Sequence, residues 1–216
     1  MTTELSISGS LPSTLHSAAL SRLATFTSAG ESFALSESAY GRAGAAIDSA
    51  DLLRASAGSY VRVKALRTCR REGGGGDATE WSVQVNQRPE PPRTAPRARQ
   101  YGVIEFEVKE GSDPRNTHLF STHKRGVRFK RGAVVVEIFQ LFESPDSPSP
   151  LDSSSYAVTA NTRFSSAPSR AASGANPQQQ QGGPSASSQE VREAALANIE
   201  QVAMLLKGLV DLGRID

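Results

Sequence analysis

The residues whose types and spacing could do chemistry are Glu105-Phe-Glu107-Val-Lys109. On an extended strand, positions two apart share a face, so Glu105, Glu107 and Lys109 project together. Inside a barrel, that pattern can hold a divalent metal on the carboxylates and a polyphosphate on the ammonium. On the outside of a strand, the same three are solvated charges, with Ile104, Phe106 and Val108 on the opposite face. Glu137 is the other mid-strand glutamate able to join such a site.

Other catalytic groupings are weaker. A nucleophilic Ser or Cys needs a His and an orienting acid. His16 falls on a predicted helix and His118 and His123 in a polar stretch read as loop, so all three read as surface residues. No Gly-x-Ser-x-Gly elbow occurs. The single cysteine, Cys69, stands beside Arg70 and Arg71, which would lower its pKa, but lacks a partner His and reads as an ordinary strand residue. One cysteine excludes an intramolecular disulfide and a multi-cysteine zinc site, and points to a reducing compartment. Gly73–Gly76 lacks the Lys-Ser/Thr of a phosphate loop and reads as a hairpin connection. These readings assign no catalytic, cofactor-binding or metal-ligating residue.

The balance of 24 basic and 22 acidic residues gives a net charge of +2, too even to announce nucleic acid. Three basic clusters, Arg62 to Arg71, Arg88 to Arg99 and Lys124 to Arg131, hold 14 of the 24 positive charges. No aromatic residues interleave with them as stacking platforms. They read as solvated faces or a surface for an acidic protein, with no sequence-specific nucleic acid expected. No apolar run has the length of a membrane span, and no secretory signal is visible. A soluble cytosolic or nuclear protein is the expectation.

Of the 216 residues, three tracts look unable to build core. Residues 86–99 carry four Pro and four Arg, residues 144–155 are half Ser with three Pro, and residues 165–189 hold nothing more apolar than Ala or Pro. They are expected to be disordered insertions in one domain spanning 1–216. Glu4–Ser8 alternates as a short strand, and Ser10 to Ser13 offer caps for a helix over 13–28 carrying Leu15, Ala19, Leu23 and Phe26. Residues 32–59 carry little pattern beyond a short helix near Ile47–Arg54. Tyr60–Ala65, then Trp81, Val83 and Val85, then Ile104 to Val108 alternate as strands. Val127–Phe129 begins another. Ala133–Phe142 is apolar enough to be buried on both sides, and Tyr156 to Thr162 alternates again. Ser187-Ser-Gln-Glu190 has capping-box spacing, and Val191, Ala195, Ile199, Val202, Leu206 and Leu209 form the stripe of a long final helix. Antiparallel strands with short connections fit a barrel or strongly curved sheet.

Two resemblances go further. Glu105-x-Glu107-x-Lys109 resembles the signature of triphosphate-tunnel enzymes, which are antiparallel barrels, although that family carries it near the N-terminus and adds glutamates on a facing strand. The second covers most of the foldable chain. Leu206-Lys-Gly-Leu-Val-Asp-Leu-Gly-Arg-Ile-Asp216 is similar to the closing helix and tail of the Mediator subunit 18 family. Phe129-Lys-Arg-Gly132 with Val134–Phe139, then Tyr156-Ala-Val-Thr, agree in type and order, as do Glu4–Ser10, the first helix and Tyr60–Arg71. Gly208 replaces a frequent Pro, and Glu110–Arg128 lacks an apolar helix. This resemblance implies a mainly β (α+β) fold, a closed antiparallel barrel of about eight strands with an N-terminal helix and a long C-terminal one. It also implies a non-enzymatic, nuclear coactivator subunit without cofactors. Its implied partners are Mediator subunit 20 as a heterodimer, the C-terminal helix of Mediator subunit 8, other head-module subunits and RNA polymerase II.

Overall fold

A computed structural model describes residues 2–27, 30–41, 60–69, 78–87, 89–107, 117–165 and 188–215. Eight strands and two helices follow in order: β1 (Thr2–Pro12), a 3-10 turn (Ser13–Leu15), α1 (His16–Phe26), β2 (Glu31–Gly41), β3 (Tyr60–Cys69), β4 (Ala78–Asn86), β5 (Arg99–Glu107), β6 (Thr117–Arg131), β7 (Val134–Phe142), β8 (Ser155–Phe164) and α2 (Ser188–Leu206). The chain is mainly β and every ladder is antiparallel, as the alternating segments predict.

Set against the expected closed barrel of about eight strands, the eight strands pair in turn around a ring that is uneven. Seven of them, in the order β4-β3-β2-β6-β7-β8-β1, form a curved wall joined by ladders of six to eleven register pairs. Strand β5 spans its two edges with five register pairs to β1 and five to β4 among the described residues. The β4 ladder ends at Asn86, just before Pro89, Pro91 and Pro92, which have no N–H to offer. Gln87 and Glu90 then donate their N–H groups back to the carbonyls of Gly102 and Gln100.

Register divides the side chains between two faces. On the convex face, Leu5, Ile7, Val158, Ala160, Val136, Ile138 and Phe129 are buried beneath Ala19 and Leu23 of α1 and Leu196, Ile199, Val202 and Leu206 of α2. The main hydrophobic core therefore lies between sheet and helices. The stripe of α2 covers its own barrel, and Glu137 and Phe139 are buried on the other side of β7, which is enclosed from both sides as its composition predicts. On the concave face, the apolar cluster is small: Phe33, Leu35 and Phe139, with Ala157 against them.

Several segments depart from the sequence reading. Strand β1 runs on to Pro12, so Ser10 to Pro12 extend a strand rather than cap a helix. Strand β2 occupies part of the stretch that carried little pattern; its inward Phe33, Leu35, Glu37 and Ala39 are buried, but a glutamate and an alanine hide the period. His118 and His123 lie on β6, not in a loop, because β6 pairs with β2 along its whole polar first half. The helix near Ile47–Arg54, the Gly73–Gly76 connection and Ser187 of the capping box lie outside the described residues.

Two of the tracts set aside as insertions take part in the fold. In residues 86–99, Ala95 and Ala98 are buried, and Arg214 donates to the carbonyls of Ala95 (2.6 Å) and Glu90 (2.8 Å). Arg97 pairs with Glu193 and Glu200 on α2. In residues 144–155, Gln140 donates to the carbonyls of Asp152 and Ser155, and the Leu151 N–H donates to the Leu141 carbonyl at 2.8 Å. Hydrogen bonds from Ser154 and Ser155 hold the Asp152 carboxyl below the usual carboxylate range. Both tracts are kept by backbone hydrogen bonding rather than by large apolar side chains, which composition does not register. The third tract lies almost wholly outside the described residues.

The tail after α2 is docked. Gly208 has φ +84°, and the N–H groups of Leu209 and Val210 return to the Leu206 carbonyl. This is a glycine C-terminal cap, and the positive φ accounts for Gly208 in place of Pro, whose φ is fixed near −65°. Beyond it Ser8 and Gly213 exchange two hydrogen bonds, of 2.8 and 3.1 Å. A Cβ on Gly9 would stand 2.5 Å from the Asp211 carbonyl oxygen, so only glycine lets the tail lie on β1.

Candidate functional site

The concave face collects the charges. Strand alternation and the ladder put Glu4, Tyr101, Glu105, Gln84 and Arg163 on it. Arg163 Nε donates to Glu4 Oε2 at 2.6 Å, and its Nη1 pairs with Glu105 Oε2. The Tyr101 hydroxyl donates to Glu4 Oε1, and the Ser82 hydroxyl to Glu105 Oε1 at 3.0 Å. Burial opposes the charge on Arg163, but Glu4 and Glu105 outweigh it and raise the guanidinium pKa above its usual value. Across the face Arg128 grips Glu137, with Nε at 2.9 Å, and both side chains are nearly buried. The Arg128 guanidinium also lies over the Phe33 ring, and Lys124 over Phe139.

Glu105 therefore points inward, and the reading of it as an outer charge is corrected. Glu107 stands opposite Ser82 in the ladder, and Lys109 lies outside the described residues. Glu137 shares the concave face but is bound to Arg128, not to Glu105. Arg163, which pairs with Glu105, and Glu4, which shares that arginine, escaped the sequence reading: they come from strands far apart in the chain, and each is a single charge in an alternating segment. Among the described residues, no three His, Cys, Asp or Glu side chains gather as a metal site requires. Gln84 Oε1, Asn86 Oδ1, Arg99 Nε and Thr159 Oγ1 are buried without a protein hydrogen-bond partner, and all four sit at concave register positions. Such groups demand water or a polar ligand.

The histidines are placed differently from one another. His16 is half-buried and stacked on Tyr156, with ring centroids 4.0 Å apart, and burial pushes its pKa down. His123 Nδ1 bonds to Ser36, and His118 Nε2 to Ser121. The third basic cluster is split: Lys124 and Arg128 turn inward, Arg125 lies over Phe142 and Arg131 over Phe26 on the convex side, and Lys130 faces Glu31. No single basic patch results from it. Leu141, Leu151, Met204 and Ile215 are exposed large apolar residues, of the sort that protein contacts use. Among the described residues, no helix is long and apolar enough to cross a membrane.

No protein-family model matches this sequence, and no curated protein does. Solved structures do. A chain of the Schizosaccharomyces pombe Mediator head module superposes with a TM-score of 0.63, 16% identity, and coverage of 99% of this chain and 98% of that one. The PH1819 protein from Pyrococcus horikoshii OT3 gives 0.53, at 9% identity over 99% of this chain and 94% of that one. A third, HpAC1 from Hippeastrum, described with a dominant triphosphatase activity, gives 0.40 at 12% identity over 75% of this chain and 80% of that one, too low to carry an argument. The class these findings define is a mainly β fold, matched over 99% of this chain. A chain of the Mediator head module has that fold, as the sequence resemblance implies.

Proposed function

We propose that this chain is a single-domain, non-enzymatic subunit of the Mediator head module, of the subunit 18 type. The observation that carries the reading is the end-to-end structural match to a head-module chain, joined to the tail motif Leu206–Asp216. That motif has a mechanical role in the fold. It caps α2 at Gly208, buries Val210 and seats Gly213 on β1, so it helps to lock the helix onto the barrel.

On this reading the chain works in the nucleus through protein surfaces. It pairs with Mediator subunit 20, receives the C-terminal helix of subunit 8 and contributes to contacts with RNA polymerase II. The pairing of Glu4 and Glu105 with Arg163, and of Glu137 with Arg128, favours charge satisfaction over catalysis, because each carboxylate already has a cation. The test is co-expression with subunits 20 and 8 of the same organism, followed by size exclusion. A 1:1 pair with subunit 20, tightened by the subunit 8 helix, is the expected result; a monodisperse chain that ignores both overturns it.

The inward Glu105 favours one competitor, a metal-dependent phosphohydrolase of the triphosphate-tunnel kind using Glu105, Glu107 and Lys109. Tripolyphosphate hydrolysis abolished by Glu105→Ala and Glu107→Ala would support it. Inactivity with magnesium and manganese removes it.

A further inference from the structure

The three Ser-Pro dipeptides of the chain stand in one stretch, Ser144-Pro145-Asp146-Ser147-Pro148-Ser149-Pro150, and no Thr-Pro occurs anywhere. The other nine of its 12 prolines follow residues without a hydroxyl, in a chain where serine is common throughout. A turn needs Ser and Pro, but it does not need them in that order three times over.

The stretch joins β7 to β8 as a surface loop that the barrel holds from below. The Ser144 N–H donates to Ser147 Oγ at 3.1 Å, and the two hydroxyls lie 2.9 Å apart. Arg125 donates to the carbonyls of Pro145 (2.6 Å) and Ser147 (2.7 Å) while its guanidinium lies 4.0 Å from the centroid of the Phe142 ring. Ser144 and Ser147 are half-buried, and Ser149 is exposed. One serine is thus ready for an enzyme, and two are held back by bonds that must open first.

We propose that this loop is a phosphoacceptor site for a proline-directed protein kinase, entered at Ser149. Such a kinase reads a hydroxyl followed by a ring that carries no N–H. In the step, Ser149 Oγ attacks the γ-phosphorus of ATP and forms the new O–P bond. The bond from that phosphorus to the β,γ-bridging oxygen breaks, ADP leaves, and the hydroxyl proton passes to the carboxylate base of the kinase. Each phosphate adds about −1.5 to −2 charges beside Glu143, Asp146 and Asp152. A phosphate on Ser147 removes the hydroxyl proton shared with Ser144 and offers Arg125 a dianionic acceptor in place of the Pro145 and Ser147 carbonyls, which rearranges the loop. The rim that bears the exposed Leu141 and Leu151 then becomes more strongly anionic. The proposal does not rest on the Mediator reading.

The test treats the full chain with ATP and a purified proline-directed kinase, chosen because it labels a free peptide of residues 141–153, and maps the phosphates by mass spectrometry. Ser149 is expected to be labelled about ten-fold faster than Ser147, the difference reflecting the hydrogen bonds that hold Ser147. Ser149→Ala, exposed and without effect on the urea midpoint, should lose the first phosphate. Arg125→Ala should narrow the gap between the two sites by freeing the loop. A folded chain that stays unlabelled while the peptide is labelled overturns the proposal. So does equal labelling of Ser149→Ala and the unsubstituted chain.

Discussion

Arg163 holds two carboxylates from strands β1 and β5, and one of them, Glu4, is only 5% exposed. Arg163→Met would leave Glu4 with the Tyr101 hydroxyl and no countercharge. Part-exposure of the arginine moderates the loss, so about 1–3 kcal/mol of stability should go, read as a lower urea midpoint. Adding Glu4→Gln should recover part of it, since an amide tolerates what a carboxylate does not. His16 carries a pH dependence. Its folded pKa lies below the usual value of about 6.5, so the unfolded chain takes up the proton first as pH falls. The stabilisation is complete above the unfolded pKa and is lost as pH drops from there through the lowered folded pKa. His16→Gln should flatten the urea midpoint between pH 7 and pH 5 relative to the unsubstituted chain. Glu105 was legible as a candidate because a two-residue spacing is a local signal, but the spacing left open which way it faces. Its partners were not legible, because register between distant strands is written in no local pattern.

Gly126 and Gly208 act on the elements in different ways, one through spacing and the other through backbone conformation. A Cβ on Gly126 of β6 would stand 2.0 Å from the Ile138 carbonyl oxygen and 2.7 Å from the Phe139 Cα, both backbone atoms of β7. Gly126→Ala must push the two strands apart and should cost at least about 3 kcal/mol in a denaturant titration. Gly208→Ala should cost about 1 kcal/mol, because its left-handed φ is strained for any L side chain while open space surrounds it. Strands β1, β3, β4, β5 and β8 were readable from their alternation and β7 from its continuous apolar run, as were both helices. Strand β2 and the first half of β6 were not: in β2 Glu37 and Ala39 break off the period that Phe33 and Leu35 begin, and the first half of β6 is polar. The Pro-rich stretch of residues 86–99 misled for the opposite reason: composition excluded large apolar groups, but the loop is fixed by the arginines at 97 and 214.

The molecule closes through its shortest ladders. Because β5 has five register pairs on each side, whereas β2 and β6 share eleven, opening should begin at β5. Native-state hydrogen exchange should find the β5 amides at least about ten-fold less protected than those of β7, which is buried on both faces. Equal protection would mean that the two edges are joined as firmly as the rest of the wall. The concave face has a further effect that belongs to the whole chain. In most proteins of this size the inside of the sheet is oil-like. Here the described side chains on that side are largely charged and polar, and melting exposes groups that water solvates well. Exposing polar surface lowers the heat capacity of unfolding, whereas exposing apolar surface raises it. Calorimetry should therefore give a heat-capacity increment below the usual ~12–15 cal/mol/K per residue. The stability of this chain should accordingly change little between a cold and a warm cell, falling away gently on either side of its maximum.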